Sequence, residues 1–380
     1  MPTFYEFFAG GGMARLGLGA DWACLFANDI DVQKAASYGA NHGPNTLTLN
    51  DIRDVSPADL PGVADLMWGS FPCQDLSRAG ARAGLDAARS GTFFPFWGLI
   101  AALAQEDRGP RIVALENVCG ALTSRGGRDF AAICETFSTF GYRYGALIIN
   151  ADLFLPQSRP RLFMIGVRQN IAIAPELIAP GPNNRFHPEE LRRGMAMVSP
   201  AAHDDAVWWV LPAPPKRRTR FADLIESEPK GVTWHSTAQT SRLLALMTPL
   251  HRAKIAAAQR TGRREVGGIY RRTRVDGNGA KVQRAEVRFD DLAGCLRTPA
   301  GGSSRQTVMV VEGSRIRSRL ISARETARLM GLPDDYILPT RYTEAYHLTG
   351  DGVVVPVVRH LARYLLEPLL GATGAGRSAA

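Results

Sequence analysis

The side chain best suited to covalent chemistry in this sequence is Cys73, in residues 69–74, GSFPCQ. It follows a proline and a short apolar run, residues 64–68, that is typical of a buried parallel strand. Open α/β sheets build their active sites at the carboxyl ends of such strands. Cysteine is also a common small core residue, so Cys73 taken alone does not establish a nucleophile.

Two other polar groups could act with this cysteine. Glu116 ends the apolar run of residues 111–115, where a carboxylate could serve as an acid/base partner or simply cap a helix. In residues 157–161, QSRPR, Arg159 and Arg161 are two positions apart, which places both side chains on one face of an extended segment. Such a pair suits a phosphate or the oxygen of a base.

A glycine turn, FAGGG at residues 8–12, follows the first apolar run of the chain. Glycine allows a backbone to approach a nucleotide cofactor closely. Asp29, roughly twenty residues further on, is placed to bind ribose hydroxyls, and Asp51 follows another apolar run. The turn alone is also compatible with a tight strand–helix corner.

A parallel sheet would bring these residues together, and the chain shows the pattern of one. Strands are predicted at residues 3–8, 22–28, 64–68, 111–115, 144–150 and 162–167, with helices at 13–18, 31–38 and 130–140. This alternation predicts a Rossmann-like α/β fold with a mostly parallel sheet. A proline- and glycine-rich stretch, residues 174–215, precedes a mixed region, and helices are predicted again at 323–330, capped by Ser322, and at 353–369.

The net charge of +9 is concentrated in one region. Residues 211–320 hold 22 Lys/Arg and 9 Asp/Glu, a net of +13, whereas the rest holds 23 and 27, a net of −4. This pattern favours a surface that faces phosphates, with an ordinary solvated basic surface as the alternative. The sequence predicts no membrane span, signal peptide or zinc site, and its five cysteines suit a reducing cytoplasm.

Taken in order, FAGGG, PCQ, ENV and QSRPR resemble the blocks of the cytosine-5 DNA methyltransferase family, prokaryotic type. Residues 319–333, RLISARETARLMGLP, resemble that family's block before the last helix, and residues 350–353, GDGV, resemble its closing block. Six blocks in the family's order, from residue 6 to about 358, are specific where each alone is weak. The resemblance implies S-adenosylmethionine as cofactor, a smaller irregular target-recognition domain and double-stranded DNA as partner.

The resemblance also implies a role for each chemical residue. Cys73 would add to carbon 6 of a flipped-out cytosine, so that carbon 5 can take the methyl group. Glu116 would bind ring nitrogen 3 and the exocyclic amine of the base. Arg161 would hold the base oxygen, supported by Arg159 and Gln157.

The cofactor residues implied by the resemblance lie at the predicted strand ends. They are Phe8, Gly10 and Gly12 in the turn, Asp29 for the ribose, Asp51 and Ile52 for the adenine, Pro72 and Thr92 for the methionine end, and Asp351 nearby.

The DNA contacts are expected in two places. One is the polar segment after Cys73, with Ser77 on a phosphate, and the other is a glycine-bearing loop in the basic region. The candidates in that loop are Arg297, Ser303, Ser304, Arg305 and Gln306, and further candidates for base edges are Tyr270, Thr273, Asn278 and Gln283. An ordinary flexible loop is the alternative.

Three positions depart from the family's usual pattern. Met13 stands where a further glycine is usual, Glu6 replaces an aspartate, and Asp351 replaces an asparagine. None of the three is a predicted chemical residue.

Two domains are predicted. The catalytic domain comprises residues 1–185 and is completed by a C-terminal helix at 340–370, and the target-recognition domain comprises residues 186–339. We expect a cytoplasmic, nucleoid-associated monomer without an obligate protein partner. The sequence decides neither the recognition sequence nor the presence of a companion restriction endonuclease.

Three alternative functions are a dinucleotide-dependent oxidoreductase, a tRNA methyltransferase of the same superfamily and a non-catalytic DNA-binding regulator. PCQ and ENV argue against the first, the basic region against the second, and the intact Cys73, Glu116 and Arg161 against the third.

Overall fold

A computed structural model describes residues 1–44, 46–71, 91–275, 277–297 and 305–371 of the chain. The chain divides into two compact units. Unit 1 comprises Met1–Asn150, Pro160–Pro214 and Gly352–Ala380, and unit 2 comprises Ala151–Arg159 and Pro215–Asp351.

Unit 1 is built on a mostly parallel sheet. Its strands are β1 (Thr3–Phe7), β2 (Ala23–Asp29), β3 (Leu47–Leu49), β4 (Leu66–Gly69), β5 (Ile112–Val118), β6 (Tyr142–Asn150) and β7 (Pro160–Arg168), with a separate small pair β8 (Ile178–Ala179) and β9 (Trp208–Trp209). The described strands follow the order β3-β2-β1-β4-β5-β7-β6, and β7 runs antiparallel to both neighbours. β4 and β5 are buried almost throughout, as expected for central parallel strands.

The strand order reverses between β1 and β4, and open α/β sheets bind ligands beyond the carboxyl ends of strands at such a point. Phe7 of β1 pairs with Gly69 of β4, which in turn pairs with Leu115 of β5. Since neighbouring strands lie about 4.8 Å apart, this register brings the glycine turn, Asp29 and Glu116 to one edge of the sheet.

Helices pack on this sheet through a large apolar core. The helices of unit 1 are α1 (Met13–Leu18), α2 (Val32–His42), α3 (Phe93–Gln105), α4 (Arg128–Thr139), α5 (Glu189–Met195), α6 (Pro200–Asp204), and the later α12 (Val355–Leu361) and α13 (Glu367–Gly371). Buried side chains of α3 and α4 form one cluster with those of β1, β4 and β5. α12 packs on α1 so closely that a Cβ at Gly17 would lie 2.4 Å from Val358. No helix of the described segments is long and apolar enough to cross a bilayer.

Unit 2 contains a sheet of its own, with all its paired strands antiparallel. Its elements are α7 (Phe221–Leu224), α8 (Thr237–Ala245), α9 (Pro249–Arg260), β10 (Arg264–Val275), β11 (Lys281–Arg288), β12 (Thr307–Glu312), β13 (Arg315–Leu320), α10 (Ala323–Leu329) and α11 (Tyr342–Asp351). The described strands follow the order β11-β10-β12-β13. Ile255 of α9 packs with Ile269, Val287 and Met309 of three strands in a small apolar core.

Helix α10 begins where the sequence predicts. Ser322 caps it by accepting a hydrogen bond from the backbone N–H of Glu325, which confirms the predicted cap. The Glu325 carboxylate pairs with Arg319 at 2.5 Å, and both side chains are fully buried.

The sequence prediction and the structure divide the chain at different places. The predicted boundary at residues 185/186 falls inside unit 1, because β9 and the residues after it still pack on the main sheet. The predicted C-terminal helix at 340–370 is α11 in unit 2 followed by α12 and α13 in unit 1. The recognition region, expected to be irregular, contains an ordered sheet that its arginine-rich strands did not reveal. The functional division itself stays a prediction.

Candidate active site

The glycine turn after β1 has the backbone that a nucleotide site requires. Phe8, Gly10 and Gly12 all have positive φ, of 56°, 55° and 73°. The Gly10 N–H donates to Oδ2 of Asp29 over 2.7 Å, and Oδ1 of the same carboxylate accepts from the Asp31 N–H over 2.8 Å. Asp29 is thus tied to the turn, and burial raises its pKa.

Gly10 and Gly12 serve different purposes in this turn. Among the described residues, no atom lies within 4 Å of the position that a Cβ of Gly10 would take. At Gly12 a Cβ would lie 2.3 Å from His42 Nε2 and 2.9 Å from the Tyr38 ring. Gly12 therefore allows α2 to pack against the turn, whereas Gly10 leaves room for a ligand.

A buried polar cluster supports the turn from β1, α1 and α2. Glu6 accepts hydrogen bonds from the Arg15 N–H and from the Tyr38 hydroxyl, each over 3.3 Å, and Arg15 Nη1 donates to that hydroxyl over 3.1 Å. Burial raises the pKa of Glu6 to about 8, against opposing hydrogen bonds from Arg15 and Tyr38. Burial lowers the pKa of His42 to about 4, so the imidazole beside the turn is neutral at pH 7.

The other cofactor candidates differ in how open their side chains are. The Asp51 carboxylate caps a short 3₁₀ turn and pairs with Arg53 at 2.6 Å, while Ile52 is buried in the core. Thr92 Oγ1, before α3, is buried and has no hydrogen-bond partner among the described residues. An orphaned hydroxyl and an open glycine backbone at one sheet edge fit a polar cofactor.

Ile30 is a candidate that sequence reasoning missed. It directly follows Asp29 at the end of β2, and 64% of its side chain is exposed. An exposed apolar residue after a strand-end carboxylate is the local signal that could have identified it, since it offers a flat apolar contact to a nucleotide base.

Glu116 and Arg161 come together through the antiparallel pairing of β5 with β7. Val118 pairs with Arg161 and Glu116 with Phe163, which puts the two charged side chains side by side. Arg161 Nε lies 3.1 Å from Glu116 Oε1, with 14% and 8% of the two side chains exposed. The site thus offers a carboxylate and a guanidinium next to each other at the carboxyl edge of β5.

Cys119, three residues after Glu116, is not the kind of thiol that nucleophilic catalysis needs. Burial raises its pKa to about 11, opposed by Arg161 and reinforced by Glu116. Burial likewise raises the pKa of Cys24 to about 11 and raises that of Cys134. These three side chains are therefore neutral thiols at pH 7.

Gln157 and Arg159 are buried and bind backbone within unit 2. Gln157 Nε2 donates to the Leu329 carbonyl over 2.7 Å, and its Oε1 accepts from the Leu296 N–H over 3.3 Å. Arg159 donates to the carbonyls of Leu296 and Gly350, both over 2.8 Å. These bonds hold three chain segments in place, which indicates that both residues position backbone.

The predicted DNA-contacting residues are only partly described. Arg297 is exposed, and Arg305 donates to Thr343 Oγ1 over 2.9 Å with its guanidinium 5.3 Å from the Tyr342 ring centre. Gln306 is buried and donates to the Gly294 carbonyl over 2.7 Å. Its amide is engaged with backbone rather than displayed.

Of the remaining predicted residues, the structure describes Asp351 and leaves five others outside the described ranges. Asp351 is exposed at the end of α11. The residues outside the described ranges are Pro72, Cys73, Ser77, Ser303 and Ser304.

Comparison with known proteins identifies the family. Residues 2–367 match the family model of the C-5 cytosine-specific DNA methylases, which is nearly the whole chain. The chain belongs to that family. It is accordingly a DNA cytosine-5 methyltransferase, which confirms the predicted enzyme class and does not agree with the oxidoreductase alternative.

Two curated relatives and one solved structure illustrate how far this methylase resembles known proteins. The type II methyltransferase M1.ScrFI of Lactococcus lactis subsp. cremoris is 27% identical over 367 residues, covering 96% of this chain and 78% of that protein. The type II methyltransferase M.HpaII of Haemophilus parainfluenzae is 25% identical over 387 residues, covering 97% and 90%. The methyltransferase EhMeth of Entamoeba histolytica, 12% identical, superposes with a TM-score of 0.63 over 97% of this chain and 99% of that one. Such a likeness shows the fold, and the predicted Rossmann-like α/β class is confirmed.

Proposed function

We propose that this methylase modifies a specific duplex sequence as a type II enzyme, using S-adenosylmethionine and a covalent Cys73 adduct on a flipped-out cytosine. The observation that carries the proposal is the Glu116–Arg161 pair, whose Oε1 and Nε atoms are 3.1 Å apart at the carboxyl edge of β5. Glu116 lies in β5, the strand next to β4, and Cys73 follows the end of β4 by four residues.

The chain's own residues account for the steps on the base. The Cys73 thiolate adds to carbon 6, and the Glu116 carboxyl group binds ring nitrogen 3 and the amine, so that negative charge does not build up on the ring. Arg161 holds the base oxygen. After carbon 5 gains its methyl group, its proton passes to water, the electrons of that C–H bond re-form the double bond between carbons 5 and 6, and the Cys73 sulfur leaves carbon 6 as a thiolate.

The cofactor supplies an electrophilic methyl group when bound. Gly10 offers open backbone to it, Asp29 keeps acceptor lone pairs beyond its two hydrogen bonds, and Thr92 offers a buried hydroxyl. Asp29→Ala should weaken S-adenosylhomocysteine binding, measured by calorimetry, about tenfold or more. Unchanged affinity would remove Asp29 from the pocket, and Asp21→Ala, at an exposed position, is the control.

The nucleophile is tested with matched cysteine variants. We expect Cys73→Ala to deposit no 5-methylcytosine, whereas Cys119→Ala retains activity because that thiol is held neutral. Duplex DNA with 5-fluorocytosine at the target should trap wild-type protein covalently, since fluorine does not leave carbon 5 as a proton does. An adduct that maps to another cysteine would refute the mechanism.

The role of Glu116 is tested by Glu116→Gln, which keeps the shape and removes the charge. We expect the rate of methyl transfer to fall about a hundredfold or more. S-adenosylhomocysteine affinity should stay unchanged, because the substitution is directed at the base. An unchanged rate would show that this carboxylate does not act on the ring.

The substrate is identified by expressing the methylase with a plasmid and sequencing its 5-methylcytosines. A single short consensus would support the type II assignment and supply the cognate site. Methylation of structured RNA instead would favour the tRNA alternative. We further propose a cytoplasmic, nucleoid-associated monomer that binds double-stranded DNA without an obligate protein partner.

A further inference from the structure

The far half of β10 and the near half of β11 form a two-stranded ribbon, defined here as residues 270–275 and 281–286. Residues 264–269 of β10 pair with β12 on one side, but residues 270–275 pair with β11 alone. At about 3.4 Å per residue the ribbon extends roughly 20 Å beyond the four-stranded part of the sheet.

Packing explains only one end of this ribbon, where Ala285 is fully buried in the small apolar core. Residues 271–275 are all exposed, and even Val275 is 68% exposed. The ribbon carries four arginines and one lysine against one glutamate, a net charge of +4 in twelve residues. A two-stranded extension with both faces exposed gains little stability from its outer part, so residues 271–275 are available to a partner.

The cross-strand register places like charges opposite each other. Arg272 pairs directly with Arg284, and Arg274 lies two positions along on the same face. Directly opposed like charges destabilise a sheet pair. An anion bound to this face would relieve that repulsion.

Glu286 holds this face ready for binding. It pairs with Arg272 at 3.4 Å and with Arg274 at 2.5 Å, and the Arg272 guanidinium lies 5.8 Å from the Tyr270 ring centre. Half of each arginine side chain stays exposed, 53% and 50%. The guanidinium groups are thus oriented and still accessible, which lowers the entropy cost of binding.

The opposite face of the ribbon differs in character. It carries Arg271 and Lys281, and between them Gln283 Nε2 donates to Thr273 Oγ1 over 2.7 Å. These two polar side chains, candidates for base contacts from the sequence, therefore satisfy each other. The face with Arg272, Arg274 and Arg284 holds three of the ribbon's five basic side chains and so presents the denser positive charge to an acidic partner.

We propose that the ribbon enters the major groove of duplex DNA with its arginine face, Arg272, Arg274 and Arg284, toward the base edges, and so contributes to sequence choice. The major groove, about 12 Å wide, admits a two-stranded ribbon, and arginine is the side chain that pairs bidentately with guanine there. The inference rests on the proposed function, which supplies duplex DNA as the substrate.

The test compares three double variants of the full chain that remove the same charge. Arg272→Gln with Arg284→Gln changes the arginine face, and Arg271→Gln with Lys281→Gln changes the opposite face. The third pair is Arg260→Gln with Arg263→Gln, exposed positions at the other end of β10, about 25 Å away.

Affinity is measured for the mapped cognate duplex and for single-base variants of it. We expect the arginine-face double variant to bind the cognate duplex at least tenfold more weakly and to show a smaller difference in affinity between cognate and variant duplexes. The opposite-face double variant should lose less affinity and keep that difference. The distant double variant should lose the least affinity. Calorimetry with S-adenosylhomocysteine confirms that each variant is folded.

Two results would overturn the assignment. If the arginine-face double variant loses no more affinity than the distant double variant, the ribbon does not contact DNA. If the arginine-face double variant loses the same affinity on all duplexes, or if the two ribbon faces give equal losses of affinity, the ribbon acts only through its general positive charge and makes no base contacts. A wild-type protein that deposits no 5-methylcytosine refutes the proposed function instead, and the ribbon assignment with it.

Discussion

Replacing Glu6 by glutamine is expected to remove a pH-dependent loss of stability from the methylase. Glu6 lies in β1, two residues before the glycine turn, with a side chain that is 1% exposed. Burial raises its pKa from 4.5 to about 8. The native carboxyl group therefore stays protonated up to about pH 8, whereas the unfolded chain ionises near pH 4.5.

The sign follows from proton linkage. Between pH 4.5 and pH 8 the native state binds a proton that the unfolded state has released, so the free energy of unfolding falls as the pH rises. From pH 5 to pH 8 the loss from this one group is about 3.5 kcal/mol, at about 1.36 kcal/mol per pKa unit. Glu6→Gln does not ionise, and its amide can still accept from the Arg15 N–H and donate to the Tyr38 hydroxyl.

The assay is thermal unfolding of wild type and Glu6→Gln at several pH values from 5 to 8.5. Because all other groups are shared, the difference in Tm between the two proteins isolates Glu6. We expect the Tm of the variant to rise relative to that of the wild type by about 4 °C over this range, since the entropy of unfolding of a chain of this length is about 0.8 kcal/mol per kelvin. A difference that stays constant with pH would show that Glu6 is ionised in the native state, and Glu189→Gln, at an exposed position, is the matched control.

Three more substitutions follow from the structure. Gly12→Ala, whose Cβ would lie 2.3 Å from His42, should weaken S-adenosylhomocysteine binding in calorimetry and lower the Tm. Gly10→Ala shares the strain of a positive φ, but its Cβ meets no described atom within 4 Å, so its Tm should stay closer to wild type; equal losses of Tm would contradict this difference in packing. Glu325→Gln leaves the fully buried Arg319 charge without its carboxylate partner, so it should lower the free energy of unfolding by about 3–5 kcal/mol. Urea titrations measure this change, and a loss under about 1 kcal/mol would contradict the importance of the ion pair.

The sequence by itself determined the fold class and located six of the seven strands described in the main sheet, missing β3 and ending β5 three residues early. Glycines at 10–12, Asp29 and Glu116 each follow a short apolar run, and that pattern is local, so it can be recognised without knowing how the strands pair. The resemblance of six ordered blocks gave the family, which the match over residues 2–367 confirms. Roles for Cys73, Ser77 and the other predicted site residues stay predictions.

The tertiary structure decided how distant side chains meet. Arg161 reaches Glu116 because β7 runs antiparallel to β5, and no local pattern fixes that register. Arg159 shares a short motif with Arg161, yet it donates to the Leu296 and Gly350 carbonyls. Buried donors seek whichever carbonyls the fold leaves unpaired, and those belong to residues far away in the chain.

The same reason explains the recognition region. Its strands β10 and β11 carry arginines on both faces beyond residue 270, so they lack the apolar alternation that marks a strand in the sequence. The order of the sheet comes from backbone pairing, and its small apolar core joins residues of α9, β10, β11 and β12 that are far apart in the chain. Charge composition supports the proposal that this region binds DNA, but which residues share a face of the ribbon depends on cross-strand register, which exists only once the chain has folded.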